Sequence, residues 1–402
     1  MPARVVLLLP RYTYRNDFVG AAEALGLDIV IGADFRQAMA QQMGERALHL
    51  DFADPSSAAS AIAALHLTHP VDAVVAADEQ GVMVAAAANE RLGLRSNSVG
   101  AAAASRDKLV LRERLAAAGV AQPAFFTSDL LERGEPLPFC GPYVVKPRRL
   151  SASQGVLRVD RGDQLPAAVI AAQRVACLTE PVLVEGFVPG VEIAVEGLLR
   201  NGELDVLATF DKPDPLHGPT FPETLYVTPS RLSPELLRSA HDLVGRAVAA
   251  VGLSEGPVHA EVRVDVATDQ MWLIEAAGRS IGGLCSRTLR FGLGVSLEEL
   301  ILRHALGWRV PPLRREQGAA GVVMLPVLRT GIVRAIGGVG AAEATEGVEG
   351  VEITVTAGTR VQTLPDGDRY LGFIFARAPT PAAVEAALRA AWAELGIEIE
   401  IE

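Results

Sequence analysis

Glu261, Glu275 and Arg279 are the residues of this chain whose types and spacing could do chemistry together. Residues 258–265 alternate apolar and polar side chains, as a half-buried strand does. Residues 271–274 form an apolar run of strand length with Glu275 at its end, and Thr268 and Asp269 fall in the turn between the two runs. Side chains of like parity on adjacent antiparallel strands share a face, so Glu261 and Glu275 can converge across the pair. Two carboxylates at one spot repel unless a cation or a proton holds them. Hard oxygen ligands on short strands suit Mg²⁺, which takes one or two carboxylates and completes its shell with water and phosphate. Arg279 brings fixed positive charge to the same place. Carboxylates, a metal ion and an arginine together suggest phosphoryl transfer or acyl-phosphate chemistry. A solvated hairpin with ordinary surface glutamates is the plain alternative.

Other stretches offer phosphate chemistry. Residues 142–146 read as a strand ending in Lys146, followed by a polar loop with Ser151, Ser153 and Gly155. Backbone N–H groups and hydroxyls in such a loop can cradle phosphates, and the lysine supplies a point charge; a hairpin with a solvated lysine fits the same pattern. Strand 182–185 can offer backbone groups to a flat base. Glu192, just after Gly190, can accept hydrogen bonds from ribose hydroxyls, although 192, 194 and 196 share a face that a half-solvated strand would also explain. Residues 105–119 read as one helix stopped by Gly119. Lys108 lies in its first turn, where a lysine opposes the helix dipole, so either an anion holds it or it is a surface lysine. The prolines of residues 210–226 exclude regular structure, and a loop of that length in a compact domain is often functional. Within it Phe221 and Tyr226 offer apolar contact and Lys212 offers charge for a carboxylate. No H-E-x-x-H or Cys/His cluster indicates zinc, and no Ser/His/Asp or Cys/His set indicates a protein nucleophile.

The elements that must position these residues follow from periodicity. Strand 4–9, helix 18–25 stopped by Gly26, strand 28–31, helix 58–67, strand 71–76 and helix 82–92 alternate. That order implies a parallel sheet with helices on both faces and a ligand at the carboxyl ends of the strands. No G-x-G-x-x-G follows the first strand and no P-loop occurs. Asp78 and Glu79, just past a strand, could line a site but read better as caps of the next helix. Helices are expected at 234–251 and 297–306. Pro311 and Pro312, with the charged 314–316, mark a boundary. Beyond Ala319, short strands and glycine turns lead to a helix at 381–395; this region shows no chemical motif and reads as a closing domain. The expected division is 1–100, 101–310 with a lid at about 122–190, and 311–402.

Bulk composition narrows the function. The chain has 402 residues, 21% charged and 50% hydrophobic, an ordinary globular mixture. A net charge of −11 argues against a general nucleic-acid binder. Cys140, Cys177 and Cys285 show no C-x-x-C spacing and fit a reducing cytoplasm. The apolar run at the start is too short for a signal peptide and breaks at Pro10. No stretch approaches the ~20 apolar residues of a membrane span.

Taken in order, five segments resemble the ATP-grasp superfamily: residues 106–108 (Arg-Asp-Lys), 145–147 (Val-Lys-Pro) with its serine-glycine loop, 184–192, 259–261 (His-Ala-Glu) and 274–279. Residues 211–213, Gly218-Pro219, Glu223 and 226–230 look like its L-amino acid ligase branch, and 321–375 is similar to the closing domain shared with biotin carboxylase. The resemblance implies an α/β and α+β protein: an ATP-grasp fold with a pre-ATP-grasp, Rossmann-like N-terminal domain and a β-rich C-terminal closing domain. It implies an ATP-dependent carboxylate–amine ligase that forms an amide or peptide bond through an acyl phosphate. It would join amino acids into dipeptides and release ADP and phosphate. By the same resemblance, Lys108 and Lys146 would contact ATP phosphates under the loop of Ser151, Ser153 and Gly155. Glu185 and the backbone at Phe187 and Val188 would hold adenine, and Glu192 the ribose. Glu261 and Glu275 would ligate Mg²⁺, as two ions, with Mn²⁺ a substitute. Arg279 would stabilise the acyl phosphate and the oxyanion. Ser280, Gly282 and Gly283 would add backbone N–H groups beside the substrate residues Lys212, Phe221, Glu223 and Tyr226. Ala277 departs from the family, which often has Asn there, so one metal or phosphate contact must come from elsewhere. The expected partners are small-molecule acids and amines and a second copy of the chain, with no nucleic acid or membrane. A bicarbonate-using carboxylase and a non-catalytic nucleotide-binding protein are the rival readings.

Overall fold

A computed structural model describes residues 3–9, 16–34, 46–310 and 314–401. Pro10, Pro311 and Pro312, on which the N-terminal break and the domain boundary were expected, lie outside the described residues. The N-terminal sheet consists of β1 (Arg4–Leu8), β2 (Asp28–Ala33), β3 (Ala47–His49) and β4 (Ala73–Ala76), parallel throughout in the order β3-β2-β1-β4. Its strands read as continuous apolar runs because helices Asp17–Ala24, Pro55–Thr68 and Val82–Leu92 accompany them. Residues 78–80 follow β4, at the carboxyl end of the sheet, where such a fold presents ligands.

The single helix expected at 105–119 is two helices, Val99–Arg106 and Lys108–Ala117. Asp107 divides them: its backbone is extended, and its carboxylate accepts from the N–H groups of Leu109 and Val110. An aspartate can cap a helix start or continue a helix, and periodicity cannot distinguish the two.

The lid is a four-stranded sheet of β5 (Phe125–Thr127), β6 (Tyr143–Lys146), β7 (Leu157–Val159) and β8 (Leu183–Gly186), in the order β5-β8-β6-β7, packed on helix Leu165–Ala176. The large sheet is built from β9 (Val191–Arg200), β10 (Glu203–Lys212), β11 (Leu225–Thr228), β12 (Gly256–Asp265) and β13 (Gln270–Ala277). The short hairpin β14 (Arg290–Phe291) and β15 (Val295–Ser296) lies apart. After it come β16 (Ala319–Leu325), β17 (Gly331–Gly337), β18 (Val348–Ile353), β19 (Arg360–Val361), β20 (Gly372–Ala378) and β21 (Gly396–Glu400). The eight-stranded order is β13-β12-β9-β10-β11-β16-β20-β18, so β16, β18 and β20 continue the central sheet rather than form a detached domain.

Two expectations about this sheet need correction. The alternation in β12 predicts a half-buried strand, yet 258–264 are all buried. Val258, Ala260, Val262 and Val264 pack with Leu243, Ala247 and Val251 of helix Pro234–Val251. That helix is well framed, with Ser233 accepting from the Leu236 N–H, Pro234 in the first turn, and Gly252 ending it at φ 86°. His259, Glu261 and Arg263 alternate with the apolar set and are buried too; their face looks into a cavity rather than into solvent. The second correction concerns 210–226. β10 runs on through Lys212 and β11 already begins at Leu225, so only 213–224 is irregular. Phe210, Asp211 and Lys212 pair with β9, and Tyr226 is a sheet residue rather than a loop side chain, only 2% exposed and lining a cavity.

Candidate functional site

A cavity of about 260 Å³ opens where the lid, the polar face of the large sheet and the 78–80 turn meet. Met324 at the end of β16 and Tyr370 before β20 also line it, so the C-terminal region, expected only to close the fold, supplies part of the wall.

At the lid end, three ionic groups form one buried unit. The Arg112 Nε lies 2.7 Å from Glu185 Oε1, and the Lys146 Nζ lies 2.7 Å from Glu185 Oε2. Burial alone would push the Glu185 carboxyl up, but Arg112 and Lys146 outweigh it and bring it down to about 2. Arg112 also donates to the carbonyls of Leu273 at 3.0 Å and Ile274 at 2.7 Å. One guanidinium thereby joins the helix, the lid and β13. Arg112 was missed in the sequence; its one signal is a charge beside Leu111 on the buried side of its helix. Glu185, expected at the base, lines the cavity with its carboxylate paired to both cations, which fixes the position of Lys146.

The loop after β6 takes left-handed backbone at Ala152 (φ 52°), Ser153 (φ 56°) and Gly155 (φ 69°). Ser151 and Ser153 line the cavity. Gly155 does not match its expected part as a phosphate cradle: its N–H donates to the Pro365 carbonyl at 2.9 Å. Lys108 lines the cavity, and its ammonium donates to the Leu150 carbonyl at 2.5 Å. At the expected adenine position, the Phe187 N–H donates to Pro142 and the Val188 carbonyl accepts from Arg263. Two guanidinium groups lie over the Phe187 ring, Arg158 at 4.3 Å and Arg263 at 5.0 Å from its centre.

The cavity floor inverts the lid's charge pattern. Lys212 Nζ sits 2.7 Å from Glu192 Oε1, 3.2 Å from Glu223 Oε1, and against Glu261. Burial opposes its charge, but Glu192, Glu261 and Glu223 hold it protonated well above the usual lysine range. This corrects the expectation that Lys212 awaits a substrate carboxylate. Glu192 is further bound by Arg263 at 3.0 Å. Burial raises the Glu223 carboxyl despite Lys212, and the Tyr370 hydroxyl lies 3.4 Å from it. Glu261 lies opposite Glu275 in the β12–β13 register, as parity predicted. Burial would raise Glu261, but Lys212 and His259 keep it well below the ordinary range.

Two partners of this floor were not foreseen. His259 Nδ1 lies 2.6 Å from Glu196 Oε1, and its Nε2 lies 3.6 Å from Glu261. Burial opposes its protonation, yet hydrogen bonds to Glu196 and Glu261 lift it to about 9. Arg279 stands over Glu275 at 3.8 Å and is clasped by Glu79 at 2.9 Å, which also faces Arg106 at 3.2 Å. Asp78 does cap, accepting from the Gln80 N–H, but Glu79 reaches across 200 residues to Arg279. Ile281, Gly282 and Gly283 line the cavity; Ser280 does not, and its carbonyl accepts from Arg279.

Among the described residues no group of three His, Cys, Asp or Glu side chains is arranged to hold a metal. Glu261 and Glu275, facing each other on the wall, fit a hard cation that takes its remaining ligands from water and phosphate. No helix among the described residues is long and apolar enough to cross a membrane, and the three cysteines are unbonded.

Three family models match the chain: the ATP-grasp domain over 139–288, the ATP-grasp N-terminal domain over 19–95, and the L-amino acid ligase C-terminal domain 2 over 323–400. The fold is similar to the crystal structure of L-amino acid ligase from Bacillus licheniformis, with a TM-score of 0.83, 25% identity and 99% of each chain covered. It is also similar to a carboxyaminoimidazole ribonucleotide synthase from Aspergillus clavatus complexed with ATP, with a TM-score of 0.73, 20% identity and 98% of each chain covered. In sequence, the chain is 28% identical over 261 residues to alanine–anticapsin ligase of Bacillus subtilis, a match covering 58% of this chain and 53% of that one. The matched part spans only about half the length of that relative.

Proposed function

We propose that this chain, which belongs to the ATP-grasp superfamily, is an ATP-dependent ligase joining a carboxylate to an amine, both from amino acids. The observation that carries this reading is one cavity with an anion-seeking lid end, Lys146 held by Glu185, and a cation-seeking wall, Glu261 opposite Glu275 with Arg279 beside it. In this reading ATP lies under the lid with its phosphates toward Lys146, Lys108, Ser151 and Ser153, its base near Phe187 and Val188, and its ribose by Glu192. Glu261 and Glu275 would hold Mg²⁺, which when bound neutralises phosphate charge and orients the terminal phosphate.

A substrate carboxylate oxygen attacks the γ-phosphorus, ADP leaves, and an acyl phosphate forms. The amine nitrogen then attacks the carbonyl carbon, phosphate departs with the carboxylate oxygen, and the amine loses a proton. Arg279, rigid between Glu79, Glu275 and the Ser280 carbonyl, faces the charge that develops on that carbonyl. The lid keeps water from the acyl phosphate. Phe221, Glu223 and the 281–283 segment would shape the substrate end. No protein nucleophile is required. The reading includes a homodimer in the cytoplasm and no nucleic-acid partner.

Incubation with ATP, Mg²⁺ and pairs of amino acids tests this. ADP and phosphate should appear only when both acid and amine are present. AMP as the stoichiometric product would refute the mechanism. Turnover that requires bicarbonate would move the chain to the carboxylase reading.

A further inference from the structure

Glu196 has no part in the mechanism above, yet it is among the most thoroughly buried carboxylates in the chain, 1% exposed. It lies on β9 opposite His259 of β12, on the face that also carries Glu192. A carboxylate removed from water must be met by donors. Glu196 has two, and they come from different elements. Oε1 accepts from His259 Nδ1 at 2.6 Å, and Oε2 accepts from the Ile281 N–H at 3.0 Å. The first partner leads to Glu261, 3.6 Å from the far nitrogen of the same imidazole. The second begins the segment Ile281, Gly282, Gly283, which lines the cavity directly after Arg279. At Gly283, where φ is 58°, that segment lies so close to Met324 that a Cβ would fall 2.0 Å from its sulfur.

We propose that Glu196 is a positioning residue: one carboxylate fixes the 281–283 segment and, through His259, the orientation of Glu261, so that the acyl group is held for the amine. Glu196 itself touches no substrate. The inference rests on the ligase reading for its consequence, not for its geometry. A carboxylate offers an acceptor to each donor. Glutamine offers one acceptor oxygen and one NH₂ group, which serve both partners only if His259 gives up its Nδ1 proton and becomes an acceptor there; alanine offers neither. Without an acceptor at 196, the 281–283 segment loses the hydrogen bond from the Ile281 N–H to β9.

Glu196→Ala tests this with two readouts. Hydrogen exchange should quicken by about tenfold in peptides covering 280–284, the effect of losing one buried hydrogen bond, with helix 234–251 unchanged. Amide formation should fall by about 10–100-fold, the usual cost of removing a supporting partner of an active-site group, while the ADP dissociation constant holds and the ratio of amide to released ADP drops. Unchanged exchange at 280–284, a general quickening that includes helix 234–251, or an unchanged amide-to-ADP ratio would each overturn the inference. If Glu196→Ala does not fold, Glu196→Asp carries the same test, since it keeps the charge but cannot reach both donors. A wild-type protein that makes no amide would defeat the ligase reading, and the exchange result would still decide whether Glu196 anchors the segment.

Discussion

Two buried ion clusters face the same cavity with opposite charge balance. On the lid side one carboxylate, Glu185, lies between two cations, Arg112 and Lys146. On the floor one cation, Lys212, lies among three carboxylates, Glu192, Glu223 and Glu261. Neither cluster is arranged for stability alone, because a buried pair rarely outperforms apolar packing of the same volume. The lid cluster has positive charge to spare and so favours an incoming anion. On the floor, Glu196 joins these three carboxylates while Arg263 and protonated His259 join Lys212, four against three, so it has negative charge to spare and favours a cation. A phosphate chain lying between them, with divalent metal on the floor side, would satisfy both.

The largest expected effect tests that imbalance directly. Lys212→Met leaves three carboxylates facing one another, with Arg263 on Glu192 and His259 on Glu261 as the remaining compensation. It should cost roughly 3–5 kcal/mol of stability, the range for breaking a buried charge pair. Lys146→Met leaves Arg112 on Glu185 and should cost clearly less. Equal urea midpoints for the two variants would break the comparison.

Acid sharpens it next. The Glu185 carboxyl titrates at about 2 in the folded chain against an ordinary 4.5. The unfolded chain therefore takes up the proton first as pH falls. The stability this group contributes is complete above 4.5, declines between 4.5 and about 2, and is lost below that. The shift corresponds to on the order of 3 kcal/mol. Glu185→Gln should flatten that part of the stability–pH curve. A variant whose stability falls as steeply as wild type between pH 4.5 and 2 would assign the acid sensitivity to other groups.

On the floor, Glu275→Gln keeps the shape and removes a charge. Turnover should drop ~10²-fold or more, as for loss of one electrostatic transition-state contact. Near-normal turnover at saturating Mg²⁺ would remove Glu275 from the metal site. The smallest effect belongs to Phe221, which is half-buried on the cavity wall. Phe221→Ala should reorder amino-acid substrates by ~1–3 kcal/mol in kcat/KM, whereas Arg279→Ala should lower kcat for all of them alike. A lower Tm with an unchanged ranking would make Phe221 a packing residue.

Local pattern reaches as far as neighbouring strands. Glu261 opposite Glu275 follows from parity in a hairpin, and Lys146 at a strand end follows from composition; both lie where expected on the cavity. Residues joined over long separations were not legible. Glu79 meets Arg279 across 200 residues, and Arg112 meets Glu185 across 73. No periodicity links such positions. Glu196 and His259 were missed for a different reason. Their alternation with valine and alanine is that of a strand with one wet face, and only tertiary structure turns that face into the floor of a cavity. The loop expected at 210–226 shows the converse error: prolines at 213 and beyond were allowed to cancel the strand that ends just before them.

The central step of the proposed reaction is the transfer of a phosphoryl group to a carboxylate before the amide forms. An amino acid labelled with ¹⁸O in its carboxyl group, incubated with ATP, Mg²⁺ and an amine partner, tests this most directly. Attack of the carboxylate on the γ-phosphorus predicts one labelled oxygen in each released phosphate, in step with amide formation. Unlabelled phosphate, or label carried in AMP, would contradict it.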